Sequence, residues 1–136
     1  MPKKLTKAQI AYKHGFRSAI EDEIAQELTK NGVAFLYEKH KIKYEWPARL
    51  STYTPDFLLS NGIFIEVKGR FLTADRQKMV LVKQQNPDLD IRMVFMNAKM
   101  KISANSKTSY AAWCEKHGFK WAEKRIPDSW LNEVRK

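Results

Sequence analysis

The residues most able to do chemistry lie in the segment TPDFLLSNGIFIEVKG, residues 54–69. Two carboxylates, Asp56 and Glu66, and one ammonium, Lys68, are set there among apolar residues typical of strands. Carboxylates that face each other repel, so one of them stays protonated unless a cation lies between them. Mg²⁺ meets that need, because it prefers oxygen ligands and requires few protein groups beside water and substrate phosphate. The pattern therefore predicts metal-dependent chemistry on a phosphate, with the Lys68 amine placing a water nucleophile or stabilising the phosphorane charge.

The turn of this predicted hairpin decides whether the two carboxylates meet. A two-residue Asn-Gly turn would pair Asp56 with Val67 and place Asp56 and Glu66 on opposite faces. A three-residue loop over 60–62 pairs Asp56 with Glu66 instead, and its last residue, Gly62, suits the left-handed conformation that this loop requires. We expect the second register. Side-chain alternation then places Asp56, Leu58, Phe64, Glu66 and Lys68 on one face and Phe57, Leu59, Ile63, Ile65 and Val67 on the other.

The elements that must position the hairpin form an α/β pattern. Apolar spacing, capping residues and breakers predict helices over 18–32, from Thr73 to Asn86, over 109–118 and over 126–134. Strands are predicted over 33–39, 41–46 and 91–96, in addition to the two of the hairpin. This order predicts a small mixed sheet flanked by helices.

The chain is strongly basic, which indicates an anionic partner. Its 136 residues include 25 Lys and Arg against 15 Asp and Glu, a net charge of +10. No apolar run approaches the roughly 18 residues of a membrane span, and the N-terminal segment lacks the apolar run of a signal peptide. Nucleic acid is therefore favoured over a membrane as the partner. The single cysteine, Cys114, excludes an intrachain disulfide and fits a reducing compartment.

The basic residues are concentrated in segments that lack acids. Residues 1–17 are predicted to be a flexible basic arm, residues 18–136 a single domain, and residues 97–107 a basic loop. These segments and the strand over 41–46 are expected to bind DNA phosphates rather than bases. The predicted DNA-binding residues are Lys3, Lys4, Lys7, Lys13, Arg17, Lys41, Lys43, Lys99, Lys101 and Lys107.

Each candidate site residue also has a purely structural interpretation. Glu21, three residues after Ser18, fits a capping box at the start of the first predicted helix. Asp56 after a proline could be an ordinary turn residue, and Glu66 with Lys68 could form a solvated strand face. Taken together in the chosen register, the three hairpin residues favour a functional site.

A proline precedes Asp56, nine residues separate Asp56 from Glu66, and Lys68 follows Glu66 after one residue. This spacing resembles the PD-(D/E)xK nuclease signature. Longer stretches resemble the bacteriophage endonuclease I family of Holliday-junction resolvases: FRSAIEDEIAQEL, YTPDFLLSNGIFIEVKG, LDIRMVF and TSYAAWCEKHGFKWAEKRIPDSW. The resemblance covers about residues 15–131, with gaps only in loops.

The resemblance implies a role for each matching residue. Glu21, Asp56, Glu66 and Lys68 fall on the family's catalytic positions, and none is substituted. The implied ligands of Mg²⁺, or of Mn²⁺ in its place, are Glu21, Asp56, Glu66 and the main-chain carbonyl of Val67. The implied fold is restriction-endonuclease-like, in an intertwined, segment-swapped homodimer with a bridging strand near 41–48. Each active site would then combine Glu21 of one chain with the hairpin residues of the other.

The resemblance implies an enzyme that cuts four-way junctions and other branched DNA by paired nicks, in the cytoplasm of an infected bacterium. Two alternatives stay open. One is a PD-(D/E)xK nuclease specific for a sequence or a mismatch, and the other is a non-catalytic module that binds branched DNA and keeps these charges for structural reasons. Cleavage of a four-way junction beside a linear duplex of the same sequence separates the two nucleases, whereas Asp56→Asn and Lys68→Ala address the binding module.

Overall fold

Five helices and seven strands make up the described part of the chain. The computed structural model describes residues 5–46 and 49–134. Its helices are α1 (Lys7–Lys13), α2 (Ala19–Lys30), α3 (Thr73–Gln85), α4 (Tyr110–His117) and α5 (Asp128–Leu131). Its strands are β1 (Phe35–Tyr37), β2 (Ile42–Trp46), β3 (Arg49–Tyr53), β4 (Phe57–Leu59), β5 (Phe64–Lys68), β6 (Ile91–Phe95) and β7 (Trp121–Glu123). Every helix and strand that the sequence predicts is present, although β1 and α5 are shorter than expected.

The central sheet is mixed, as the sequence predicts. Its five strands lie in the order β1-β4-β5-β6-β7. β4 is antiparallel to both β1 and β5, whereas β5, β6 and β7 run parallel to one another. β5 pairs with β6 from Phe64, opposite Ile91, to Lys68, opposite Phe95. Because parallel strands need a crossover connection, α3 lies between β5 and β6 in the chain. The strand that carries Glu66 is therefore held between two neighbours.

The β4–β5 hairpin has the predicted three-residue loop. The Leu59 N–H donates to the Ile63 carbonyl at 2.9 Å and closes that loop. Gly62 has a φ of 89°, the left-handed conformation that a side chain would disfavour there. The same register, continued toward the open end of the hairpin, places Asp56 across from Glu66. The predicted register is confirmed.

Two apolar layers cover the two faces of the hairpin, and they follow the predicted alternation. On one face, Phe64 packs in a layer that includes residues of α3 and α4, with Leu58 against it. On the other face, the layer includes residues of α2 and the hairpin residues Phe57, Leu59, Ile63, Ile65 and Val67. Burial of apolar surface on both faces holds the hairpin rigidly under the polar groups at its open end.

The local sequence of α2 sets the position of Glu21. Ser18 has extended backbone geometry, and its Oγ accepts a hydrogen bond from the Glu21 N–H at 3.2 Å, which caps the helix. The stripe formed by Ile20, Ile24 and Leu28 is buried in the layer that covers the hairpin. The Ser18 cap and the buried apolar stripe together fix Glu21 in the first turn of α2, where its side chain faces the sheet.

Three elements were not predicted from the sequence. α1 forms inside the predicted arm, where Thr6 caps the helix and Ala11 is its buried residue. One buried residue leaves no apolar stripe, so periodicity could not identify this helix. β3 begins two residues after Pro47 and contains several polar residues, and β7 has three residues, too few to show alternation. The flexibility of residues 1–17 stays a prediction.

The predicted bridging segment near 41–48 corresponds to β2 as far as Trp46. β2 pairs with β3 of the same chain in an antiparallel ladder, with Ile42 opposite Tyr53. Pro47 and Ala48 lie outside the described residues. The exchange of this segment between chains therefore stays a prediction.

Candidate active site

Asp56 immediately precedes β4, and its carboxylate lies at the end of the sheet. Its Oδ2 accepts a 2.8 Å hydrogen bond from the Val67 N–H of β5. Burial, followed by the negative charges of Glu66 and Glu21, raises the pKa of Asp56 to about 9. At neutral pH this carboxyl is therefore protonated unless a cation offsets the neighbouring charges.

Glu66 is buried in β5, and each of its carboxylate oxygens has a partner. The hydroxyl of Tyr53, a residue only 1% exposed, donates to Oε1 at 2.9 Å. Lys68 Nζ lies 3.4 Å from Oε2. Burial raises the pKa of Glu66, although the charge of Lys68 and the Tyr53 hydrogen bond oppose that change. Burial alone would lower the pKa of Lys68, but the surrounding carboxylates, Glu66 foremost, outweigh it and raise that pKa, so the amine is an ammonium at neutral pH.

Glu21 contributes a carboxylate from the first turn of α2. The Ser18 hydroxyl donates to its Oε1 at 2.9 Å, and the Tyr37 hydroxyl donates to its Oε2 at 3.1 Å. The main-chain N–H of Glu21 serves the helix cap, while its side chain faces β1 and Asp56. The Glu21 side chain thus contacts the Ser18 hydroxyl and lies near Asp56 within the same chain. The return bond to the Ser18 N–H that a capping box requires, and the catalytic role of Glu21, stay predictions.

A further carboxylate, Glu38, joins the site, and the sequence did not predict it. One carboxylate oxygen from each of Glu21, Glu38 and Asp56 lies within 4.8 Å of the other two. Glu38 Oε1 is buried, and no described residue donates a hydrogen bond to it. The Arg17 guanidinium lies 3.8 Å from this oxygen, at ion-pair distance. The backbone of Glu38 has a φ of 49°, a left-handed conformation that is uncommon for a residue with a side chain.

The pairing of β1 with β4 explains why Glu38 was missed. A strand was predicted over 33–39, but alternation of residue types does not identify the partner of a strand. In the structure Tyr37 lies opposite Phe57, which brings the next residue, Glu38, level with Asp56. Knowledge of that single pairing would have been enough to find it.

The donor set suits a hard divalent cation such as Mg²⁺. Three carboxylates offer oxygen atoms close together, and Glu38 Oε1, which accepts no hydrogen bond from a described residue, is an acceptor that a cation would satisfy. Glu66 is not one of these three, although its charge acts on Asp56. The residues present thus fit the ion. Their individual assignment as ligands, and that of the Val67 carbonyl, stays a prediction.

The predicted DNA-binding residues are exposed wherever the structure describes them, and Lys3 and Lys4 lie outside the described residues. Arg17 lies beside the acidic group through its contact with Glu38. In the basic loop, Lys101 Nζ donates to the main-chain carbonyl of Lys107 at 3.1 Å. The other exposed residues of the set are Lys7, Lys13, Lys41, Lys43 and Lys99. Their contacts with DNA stay predictions.

None of the helices in the described part of the chain has the length and apolar content needed to cross a bilayer.

Comparison with known proteins identifies one family. The sequence profile of that family, described as phage endonuclease I, matches residues 1–136. The chain is 49% identical over 121 residues to Endonuclease I of Escherichia phage T7, covering 89% of this chain and 81% of that protein. It is 47% identical over 121 residues to Endodeoxyribonuclease 1 of Enterobacteria phage T3, covering 89% of this chain and 80% of that protein.

Proposed function

The chain belongs to the phage endonuclease I family, and we propose on that basis that it is a metal-dependent endodeoxyribonuclease acting on four-way junctions and other branched DNA. The names of the relatives support the endonuclease activity. The observation that carries the proposal is the convergence of Asp56, Glu66 and Lys68 at two adjacent strands, with Glu21 reaching Asp56 from α2.

The carboxylates of Glu21, Asp56 and Glu66 and the carbonyl of Val67 would hold Mg²⁺, or Mn²⁺ in its place, and Glu38 would assist. A divalent cation supplies a bound water of lowered pKa and neutralises charge on the phosphate. Two features of the protein support this assignment. Asp56 needs a cation to be ionised at neutral pH, and the buried Glu38 Oε1 has no donor among the described residues.

The remaining groups orient the reaction. The Lys68 ammonium would contact a non-bridging phosphate oxygen or the attacking water, where it would stabilise negative charge as the phosphorane forms. Tyr53 fixes the orientation of Glu66 through its hydrogen bond to Oε1. Attack of the water oxygen on phosphorus breaks the bond to the 3′ oxygen and leaves a 5′-phosphate and a 3′-hydroxyl.

The working form in this proposal is a homodimer in which the chains exchange segments. In the sequence, Pro47 separates the half that carries Glu21 and Glu38 from the half that carries Asp56 and Glu66. In an exchanged dimer the contacts seen within one chain would be made between two chains. Two active sites held at a fixed separation would recognise the shape of a branched DNA and cut it by paired nicks. The proposed place of action is the cytoplasm of the infected bacterium.

The proposal is tested by cleavage of a synthetic four-way junction beside a linear duplex of the same sequence, with Mg²⁺ and with EDTA. We expect cleavage of the junction alone, and only with the metal. Equal cleavage of both substrates would indicate a sequence- or mismatch-specific nuclease. Absence of cleavage with every divalent metal, while the junction is still bound, would indicate a binding module.

A further inference from the structure

Lys68 has a second carboxylate partner that lies outside the PD-(D/E)xK pattern. Its Nζ lies 3.5 Å from Oδ1 of Asp75, almost the same distance as the 3.4 Å to Oε2 of Glu66. Within residues 5–46 and 49–134, these are the two carboxylates at ion-pair distance from Lys68. The side chains of Lys68 and Asp75 are 19% and 24% exposed, so water screens this pair less than it screens a surface ion pair.

The carboxylate of Asp75 is fixed by the start of α3. Its Oδ2 accepts a 3.0 Å hydrogen bond from the Leu72 N–H, which precedes the helix. Asp75 is the third residue of α3, where unpaired N–H groups and the helix dipole favour a negative charge. One oxygen of Asp75 is therefore held by the main chain, while the other faces Lys68.

Glu66 is arranged in the same manner around Lys68. Tyr53 holds its Oε1, and its Oε2 faces the ammonium. A cation that binds Glu66 competes with Lys68 for the charge of that carboxylate. Asp75 lies on α3, and its Oδ2 is held by the Leu72 N–H, so its interaction with Lys68 would persist when Glu66 binds a cation.

We propose that Asp75 is a positioning residue that holds the Lys68 ammonium at the reacting phosphate while Glu66 binds the metal. The inference rests on the proposed nuclease function. Without Asp75, the flexible side chain of Lys68 has no fixed partner once Glu66 is engaged. Displacement of a reacting group by about 1 Å can lower a rate about 100-fold, so the effect should be large in rate and small in DNA affinity.

The test compares single-turnover cleavage of a saturating four-way junction by the full chain and its variants, with Mg²⁺. Asp75→Asn removes the charge, and Asp75→Ser retains a helix-capping oxygen in case the first variant folds poorly. Asp128→Asn is the matched control, because Asp128 is also a first-turn carboxylate, at the start of α5, and is exposed. We expect both Asp75 variants to cut about 10- to 100-fold more slowly. Junction affinity, measured without a divalent metal, should stay within about twofold.

A double-mutant cycle with Lys68→Ala distinguishes positioning from a general structural role. We expect Asp75→Asn to cause no further loss in the Lys68→Ala background, because the group that it positions is already absent. An equal fractional loss in both backgrounds, or an Asp75→Asn rate within about twofold of the parent, would overturn the proposal. If the parent protein itself does not cleave with any divalent metal, the proposed function fails rather than this assignment. A crystal structure of Asp75→Asn then decides the assignment, because an unmoved Lys68 Nζ would contradict it.

Discussion

Glu38 lies level with Asp56 across the β1–β4 ladder, and its main-chain N–H donates to the Asp56 carbonyl at 3.1 Å. This bond joins the two parts of the acidic site through the main chain. Glu38 has a left-handed conformation, which costs free energy and persists only where surrounding contacts such as this bond enforce it. The side chains of the two residues then converge with Glu21. Glu38 Oε1 lies 3.8 Å from the exposed Arg17 guanidinium and accepts no hydrogen bond from a described residue.

Removal of the Glu38 charge should weaken metal binding. Glu38→Gln is expected to lower the affinity for Mn²⁺ at least about tenfold, because the variant loses a carboxylate from the group that would hold the ion. Calorimetric titration of the metal in the absence of DNA measures this directly. Glu23→Gln is the control, since Glu23 is an exposed carboxylate of α2. Equal affinities of the parent and Glu38→Gln would remove Glu38 from the metal site.

The Tyr53 hydroxyl should contribute to stability as well as to the site. Tyr53→Phe leaves the buried Glu66 Oε1 without its donor, which should lower the free energy of unfolding by about 1–3 kcal/mol. Urea unfolding monitored by circular dichroism provides the value. Tyr12→Phe, at a residue that is 82% exposed, should change it by less than about 0.5 kcal/mol. Matching losses in the two variants would argue that the Tyr53 hydrogen bond has no net effect.

Asp56 should make the metal-free protein less stable as pH rises. The unfolded chain ionises this residue near its ordinary pKa of 3.8, whereas the folded protein keeps it protonated up to about pH 9. Between those values the unfolded state binds fewer protons than the folded state, so the free energy of unfolding falls with rising pH. Asp56→Asn removes this contribution.

Unfolding in EDTA at about pH 5 and about pH 8 measures the effect. The parent should lose more stability between these two conditions than Asp56→Asn does. Asp88→Asn, at an exposed aspartate, should behave as the parent. A pH dependence that Asp56→Asn leaves unchanged would show that burial of this carboxyl is not linked to folding.

Exchange of segments between chains can be tested by complementation. Glu21→Gln and Asp56→Asn are each expected to abolish cleavage when prepared alone. In an exchanged dimer formed from one chain of each variant, one of the two sites combines the intact Glu21 of one chain with the intact Asp56 of the other. Mixtures refolded together should therefore nick the junction. A mixture that forms dimers but remains inactive would indicate that each site is built within a single chain.

The hairpin was predictable from the sequence because its determinants are local. A three-residue loop requires a positive φ at its last residue, and the sequence has a glycine, Gly62, at that position. The residue type was therefore enough to predict the register in which Asp56 lies opposite Glu66. Alternation of apolar residues then assigned each side chain to a face, and both apolar layers follow that assignment. Breakers and caps identified α3 and α4 in the same way.

The residues that were missed depend on contacts between distant parts of the chain. Glu38 reaches Asp56 through a strand pairing that no local pattern encodes. Tyr53 ends a strand that follows a proline, and its role depends on the buried position of Glu66. In the sequence, Asp75 is an ordinary residue at the start of a helix. Its contact with Lys68 depends on the fold, in which α3 lies beside the end of β5.

Single-turnover cleavage of a labelled four-way junction by the parent protein and by Asp56→Asn, each with Mg²⁺ and with EDTA, tests the metal-dependent nuclease assignment most directly. The predicted result is paired nicking by the parent with Mg²⁺ alone, and no nicking by Asp56→Asn although it binds the junction with unchanged affinity. Nicking by Asp56→Asn at the rate of the parent, or by the parent at an undiminished rate in EDTA, would contradict the account.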